Sequence, residues 1–294
     1  MMDPQVSVII ATYNAADHLD ECFESLAQQT YSRFVVHILD DCSSDLTPRI
    51  IKKWCSRDER FRLIGVNERN MGLTVSLNKL LQSTDTEFVA RMDADDCAFP
   101  QRIERQLQYM RRHQEISVLG SWAIEVNDDG MEGALRCVPE HHEEIRKMVV
   151  RVNPMIHPSV MFRRAPILAL GGYNEHYRYT QDYALWFDCL SHGLKMANLP
   201  EPLIRYRVNQ NHLGKRGVAY RKIDAAVRWH GLKAMGVSLP VRIYAASIPL
   251  LLGLMPYRLK KFAFRYRDRL DPRHGAAGGG TLAARKEVAA TRDR

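Results

Sequence analysis

The chain has 294 residues, 46% of them hydrophobic and 26% charged, an ordinary globular composition with length enough for one large domain and an appendage, or for two domains. Its six cysteines, Cys22, Cys42, Cys55, Cys97, Cys137 and Cys189, form no C-x-x-C pair and no disulfide framework, the opening residues have no basic leader, and no run reaches a spanning helix. A reducing cytosol is therefore expected, and the formal net charge of +8, much of it after Arg205, points to an anionic partner: a phosphorylated small molecule, a lipid surface or nucleic acid.

In chain order, "VSVIIA" (Val6–Ala11), "FVVHILD" (Phe34–Asp40), "FRLIGV" (Phe61–Val66) and "EFVARM" (Glu87–Met92) are short, β-branched or aromatic runs that read as strands buried on both faces. Helical patterns separate them. Leu19, Phe23 and Leu26 share one face; Leu46, Ile50 and Trp54 share another, with Thr47 as cap and Pro48 in the first turn. Leu73, Leu77 and Leu80 serve a third helix, and Ile103, Leu107 and Met110 a fourth, opened by Pro100. Such alternation implies right-handed crossovers and a mostly parallel sheet, with ligands beyond the carboxyl ends of its strands. The segments at those ends are "TYNAAD", "DDCSSD", "NERNMG" and "DADD". Polar and acidic residues gather where this architecture places its site.

From Ile116 the pattern loosens. "ISVLGSWAIEV", "PSVMF" and "EPLIRYRV" read as strands, and "QDYALWFDCLSHG" as a helix stopped by Gly193. After about Gly214 the chain turns basic and helical, and residues 271–294, rich in glycine, alanine and charge, are expected to be disordered.

Asp93, Asp95 and Asp96 crowd three carboxylates behind an apolar strand, and Lys and Arg do not cluster around them as neutralising partners in the sequence. A calcium loop of the EF-hand kind fails, because Cys97 and Ala98 occupy its fifth and sixth places. A solvated acidic turn is one remaining reading. The other, which leads, is a hard divalent ion held by one or two carboxylates and completed by a ligand's phosphates and water.

With these motifs in place, the span from Val6 to about Arg207 resembles a family 2 glycosyltransferase of the GT-A fold, inverting and of the bacterial surface-polysaccharide type. The resemblance rests on "VSVIIATYNAADHLDECFESLAQQT", "ILDDCSSDLT", "NMGLTVSLN", "ARMDADD", "GGYNEHYRYTQDYALWFDCLSHG" and "LPEPLIRYRVNQN", in the family's order. It implies a GT-A domain over residues 1–214, with a Rossmann-like, mostly parallel sheet flanked by helices. It also implies a nucleotide-sugar donor, with a UDP-sugar expected, lying near Thr12, Tyr13 and Asn14. Asp41 would accept from the base imide, although an Asx turn capping the next helix is the alternative. Asp95 would ligate Mg²⁺ or Mn²⁺, and Asp93 would reach the ribose or the metal's shell; Asp96 would serve that shell or cap the helix after Pro100.

The resemblance also makes Asp182 the base that takes the acceptor hydroxyl's proton, beside Gln181, where the family often has Glu. Its alternative is a helix cap. His157 could point into the site or be a satisfied core histidine. Trp186 could stack on a sugar, though core filling is favoured. Arg205 and Arg207 lie on one side of their strand and Tyr206 on the other; one of the two arginines could pair with the diphosphate. His212 follows in a basic loop that could approach the metal or serve as a lid.

Residues 215–270 form a basic helical segment. Within it, Ile243–Tyr257, interrupted by Pro249, Gly253 and Pro256, joins a run of Arg258, Lys260, Lys261, Arg265, Arg267 and Arg269. It suits an anionic membrane surface at the cytoplasmic face, or a buried helical hairpin; nucleic acid fits the charge but lacks a module. The leading function is transfer of a sugar to a glycan or lipid-linked acceptor in surface-polysaccharide or lipopolysaccharide synthesis. A nucleotidyltransferase would want a glycine-rich phosphate loop, which "ATYNAADH" lacks. A non-catalytic nucleotide-sugar binder or membrane scaffold is the further alternative.

Overall fold

Four strands at the start of the chain, β1 (Val6–Thr12), β2 (Phe34–Asp40), β3 (Phe61–Val66) and β4 (Phe88–Arg91), pair in parallel in the order β3-β2-β1-β4. The computed structural model describes residues 4–208, 217–254 and 273. The crossovers are α1 (Ala16–Ala27), α2 (Thr47–Arg57) and α3 (Leu73–Ser83), as the alternating pattern requires.

The sheet continues from β4 through a second half of mixed direction. β5 (Cys97–Ala98), β6 (Ile116–Val126), β7 (Glu132–Arg136), β8 (Met161–Arg163) and β9 (Lys195–Arg207) complete the order β3-β2-β1-β4-β8-β6-β9-β5, with β7 on β6. β8 is antiparallel to both β4 and β6, and β6 and β9 are parallel. The helices here are α4 (Arg102–Arg112), α5 (His142–Met148), α6 (Arg164–Ala169) and α7 (Gln181–Ser191). β7, α5 and α6 have no counterpart in the sequence pattern; they are 5, 7 and 6 residues long, too short for a periodicity to register.

Strand alternation divides the core. Val8, Ile10, Val36, Ile38 and Ala90 face α1, α2 and α4, together with Phe23, Trp54, Phe61 and Leu107. Ile9, Leu39 and Val89 face the other way, with Leu77, Leu80, Phe162, Trp186 and Phe187. One of the four strands departs from the expectation of burial on both faces. β3 is the sheet edge, and all of it but Phe61 and Gly65 is exposed. α2 also rotates relative to the expected face: Thr47, Ile51 and Trp54 are buried, while Leu46 is 62% exposed and stands outside the helix. Thr47 is no cap; its hydroxyl accepts from the Ala15 amide at 2.8 Å, and Asp45 accepts from the Thr47 amide at 2.9 Å.

After residue 217 come α8 (Val218–Ala234) and α9 (Leu239–Leu254). α8 lies on α7 so closely that a Cβ on Gly231 would sit 2.2 Å from Cγ of Phe187. Pro249 and Gly253 were expected to interrupt α9, but the helix runs through both. Neighbouring helix packing keeps a proline-bearing helix continuous at the expense of one backbone hydrogen bond. Along α9, Leu239, Ile243, Tyr244, Leu250, Leu251 and Leu252 are exposed. No helix among the described residues is long and apolar enough to cross a membrane. His212, the basic run after Tyr257 and the expected tail 271–294, apart from Arg273, lie outside the described residues.

Candidate active site

All four parallel strands end at one edge of the sheet, and the register there aligns Thr12 with Asp40 and Asp40 with Val66. The turns leaving that edge are laced together by their own short polar side chains. Asp40 accepts from the Thr12 hydroxyl at 2.9 Å, the Ser43 amide at 3.0 Å and the Ser43 hydroxyl at 2.6 Å. Asn14, held at φ 46°, accepts from the Ser44 amide at 2.8 Å, and its own amide donates to Ser43 Oγ at 2.9 Å. Asp41 is buried and anchors the loop before α3: it accepts from Asn67 Nδ2 at 2.6 Å and from the Met71 and Gly72 amides at 2.8 Å each. Gly72 at φ 89° supplies a backbone state that other residues avoid. Tyr13 stands at the rim, 52% exposed.

Beside these turns, the end of β4 carries the acidic group. Asp93, Asp95 and Asp96 bring carboxylate oxygens within 4.8 Å of one another. One cation nonetheless lies close to them. Arg91, two residues before Asp93 and fully buried, is ion-paired with it. Burial opposes the Arg91 charge, but Asp93 outweighs it and raises its pKa. Arg207, at the end of β9, closes the other side. Its amide donates to Asp96 Oδ1 at 2.7 Å, and its Nε donates to the Asp95 carbonyl at 3.0 Å. The same side chain reaches the Asn127 carbonyl at 2.9 Å and Glu21 at 3.1 Å. Arg205 turns instead to Glu132, at 3.1 Å.

Asp96 is the strained member of the group. Burial, followed by the Asp93 and Asp95 charges, pushes its pKa well above the usual carboxylate range. Its Oδ2 is buried without a hydrogen-bond partner, a costly state for a carboxylate oxygen. Asp95 reaches solvent, yet surrounding protein and the Asp93 charge raise it as well. Three hard oxygen donors, one of them orphaned, fit a divalent cation better than they fit a solvated turn.

The second half of the chain contributes Asp182, half-buried at the second residue of α7 after Thr180, whose φ of 56° is left-handed. Burial raises its pKa, and the Tyr183 amide, Asn153 and the Arg91 charge moderate the rise. Asn153 Nδ2 donates to Asp182 Oδ2 at 2.6 Å. Gln181 is buried beside it.

His157 is buried, with Nε2 2.9 Å from the Tyr173 hydroxyl and its pKa driven well down by burial. Trp186 is fully buried against the His157 ring at 6.1 Å. Both are core side chains here. Thr12 is likewise buried, with its hydroxyl on Asp40. Arg91 and Asn153 are site residues that the sequence reading passed over. The first was legible as the charge closing an otherwise apolar strand. Asn153 lies in an aperiodic loop with no signal. Two shallow hollows at the start of β4, around Glu87 and Arg163, are on the opposite edge, and their charges neutralise each other at 2.6 Å.

The family model for Glycosyl transferase family 2 matches residues 7–169. The amylovoran biosynthesis glycosyltransferase AmsE of Erwinia amylovora is 33% identical over 77% of this chain and 85% of its own length. The UDP-Gal:alpha-D-GlcNAc-diphosphoundecaprenol beta-1,3-galactosyltransferase of Escherichia coli is 27% identical over 89% of this chain and 96% of its own. Among solved structures, S. aureus TarS 1-349 in complex with UDP-GlcNAc superposes with a TM-score of 0.65 at 19% identity, covering 92% of this chain and 78% of that one. A mannosyltransferase of Pyrobaculum calidifontis, in complex with GDP-Man and Mn2+, gives 0.58 at 19% identity over 99% and 81%. The fold is thus GT-A, as the resemblance implied. The chain belongs to glycosyltransferase family 2 and is a glycosyltransferase.

Proposed function

We propose that the protein transfers a sugar, with inversion, from a UDP-sugar to a hydroxyl of a lipid-linked or growing glycan at the cytoplasmic face of the membrane. The observation that carries this reading is the convergence of Asp93, Asp95 and Asp96, one oxygen of Asp96 orphaned, at the strand edge that also bears Asp41 and Tyr13. Asp95 and Asp93, with Asp96 behind them, would hold Mg²⁺ or Mn²⁺, which supplies positive charge to the departing diphosphate. Tyr13 offers an open ring to the base, and Asp41 fixes the 67–72 loop against which the base lies. Asn14 holds the turn between them.

Asp182 takes the proton of the attacking hydroxyl. A hydroxyl is a weak nucleophile until that proton moves, and a carboxylate raised by burial is a stronger acceptor than a free one. One carboxylate suffices, because a diphosphate leaves without being protonated; a glycosidase would need two. Displacement in one step inverts the anomeric carbon.

The lipid-linked acceptor is supported by the Escherichia coli relative, a galactosyltransferase named for alpha-D-GlcNAc-diphosphoundecaprenol. Contact with an anionic membrane is supported by the exposed apolar residues of α9 and the six basic residues that follow in the sequence from Arg258 to Arg269. The test of the donor site is a thermal-shift panel of UDP, GDP, CDP and ADP, each with and without Mn²⁺. Stabilisation by UDP that requires the ion is expected. No shift with any nucleotide would overturn the reading.

A further inference from the structure

We propose that Asn153 is a positioning residue for Asp182, fixing one oxygen of that carboxylate so that the group meets the acceptor hydroxyl in a single orientation. The inference deepens the reading of Asp182 as the base and rests on it.

The amide of Asn153 is oriented by its own bonds. Its Oδ1 accepts from the Met155 amide at 3.1 Å, which leaves Nδ2 to donate to Asp182 Oδ2 at 2.6 Å. A flipped amide would lose the first bond and set oxygen against oxygen in the second. The segment that carries Asn153 is held from two helices. Tyr183 Oη, on α7, donates to the Val149 carbonyl at 2.5 Å. Arg228, on α8, donates from one terminal nitrogen to the Arg151 carbonyl at 2.8 Å, while its Nε is paired with the buried Asp224 at 2.8 Å. The helix after residue 217 therefore braces the loop that touches the proposed base.

The chemistry follows from the donor. An N–H bonded to a carboxylate favours its ionised form and restricts its rotation, and a neutral amide neither competes for the proton nor neutralises the charge. Among the described residues, titratable groups acting on Asp182 include Arg91 from β4, Tyr173 from the loop before α7, and Tyr183 beside it. Burial pushes both phenols up, so they stay neutral as Asp182 titrates.

The experiment uses the full chain with ¹³C-carboxyl-labelled aspartate, Asp182 being the resonance that vanishes in D182N. In N153A the Asp182 titration midpoint should move to higher pH. In N153D, which keeps an oxygen for the Met155 amide but replaces the donor by a second carboxylate, it should move further. A purely structural role would not produce that order. UDP release from UDP-N-acetylglucosamine, UDP-glucose or UDP-galactose with Mn²⁺ and a bacterial lipid extract should fall about tenfold or more in both variants at neutral pH, with the acid limb of the pH profile displaced upward. Ion-dependent stabilisation by UDP should be unchanged, showing that the variants are folded. An unmoved midpoint in both variants, with D182N inactive, overturns the inference and spares the base. Turnover retained in D182N overturns the base and the inference with it.

Discussion

The two halves of the site are held in different ways. At the ends of β1 and β2, Asp40 and Asp41 are each surrounded by hydrogen-bond donors from neighbouring turns, most of them backbone amides or short hydroxyls. Asp182, on α7, takes one side-chain bond from a loop 29 residues away, and that loop is tied down by α7 and α8. The first half is built by several donors from turns that leave the same sheet edge. The second is assembled by tertiary packing. The strand-edge side is thus held by many donors at once, whereas Asp182 depends on one side-chain bond from a braced loop.

Substitutions can break or sharpen that contrast. The largest effect is expected from Asp182→Asn: turnover should fall by about 10²–10⁴-fold, while calorimetry with UDP and Mn²⁺ should give wild-type binding. Asp41→Ala should cost roughly 1–3 kcal/mol in chemical denaturation, because the buried Asn67 side chain and the part-buried Met71 and Gly72 amides lose their acceptor; its damage should stay on the strand-edge side of the site. Gly231→Ala forces a methyl into Phe187 and should destabilise by about 1–3 kcal/mol. Here turnover should drop more than nucleotide binding, since α7 carries Asp182.

Asp96→Asn should act in the opposite direction on stability. Asp96 binds its proton more tightly in the folded protein than in the unfolded one, so its ionisation costs stability as pH rises from the ordinary carboxylate pKa through its raised value. The metal-free variant should melt higher than wild type at neutral pH, with the gain vanishing in acid, and should lose stabilisation by Mn²⁺. The smallest effect on the fold is expected from Leu251→Asp, on the exposed flank of α9. Its melting should stay within about 0.5 kcal/mol of wild type, while co-sedimentation with anionic phospholipid vesicles weakens.

The same contrast explains what could be read from the chain. Strands β1, β2 and β4 and helices α1, α3 and α4 announce themselves by periodicity, and "DDCSSD" and "DADD" by composition. β3 misled because an apolar run looks the same at an edge as in the interior. The face of α2 misled because Leu46 stands before the helix and Ile51 replaces Ile50 in the core. Arg91 was visible as a residue, but its pairing with Asp93 is a matter of side-chain direction at a strand end. Asn153 could not be found at all, because its partner is set by the packing of α7 and α8.

Among the described residues, the non-glycine positions with left-handed backbone are Asn14, Cys42 and Thr180. Each lies in a turn that leads into the site: two at the strand edge and one beside Asp182. For a β-branched residue such as Thr180 that conformation carries an energetic penalty of order 1–3 kcal/mol. At Thr180, where the side chain bonds only to the carbonyl of its own neighbour, selection for heat resistance alone would favour glycine.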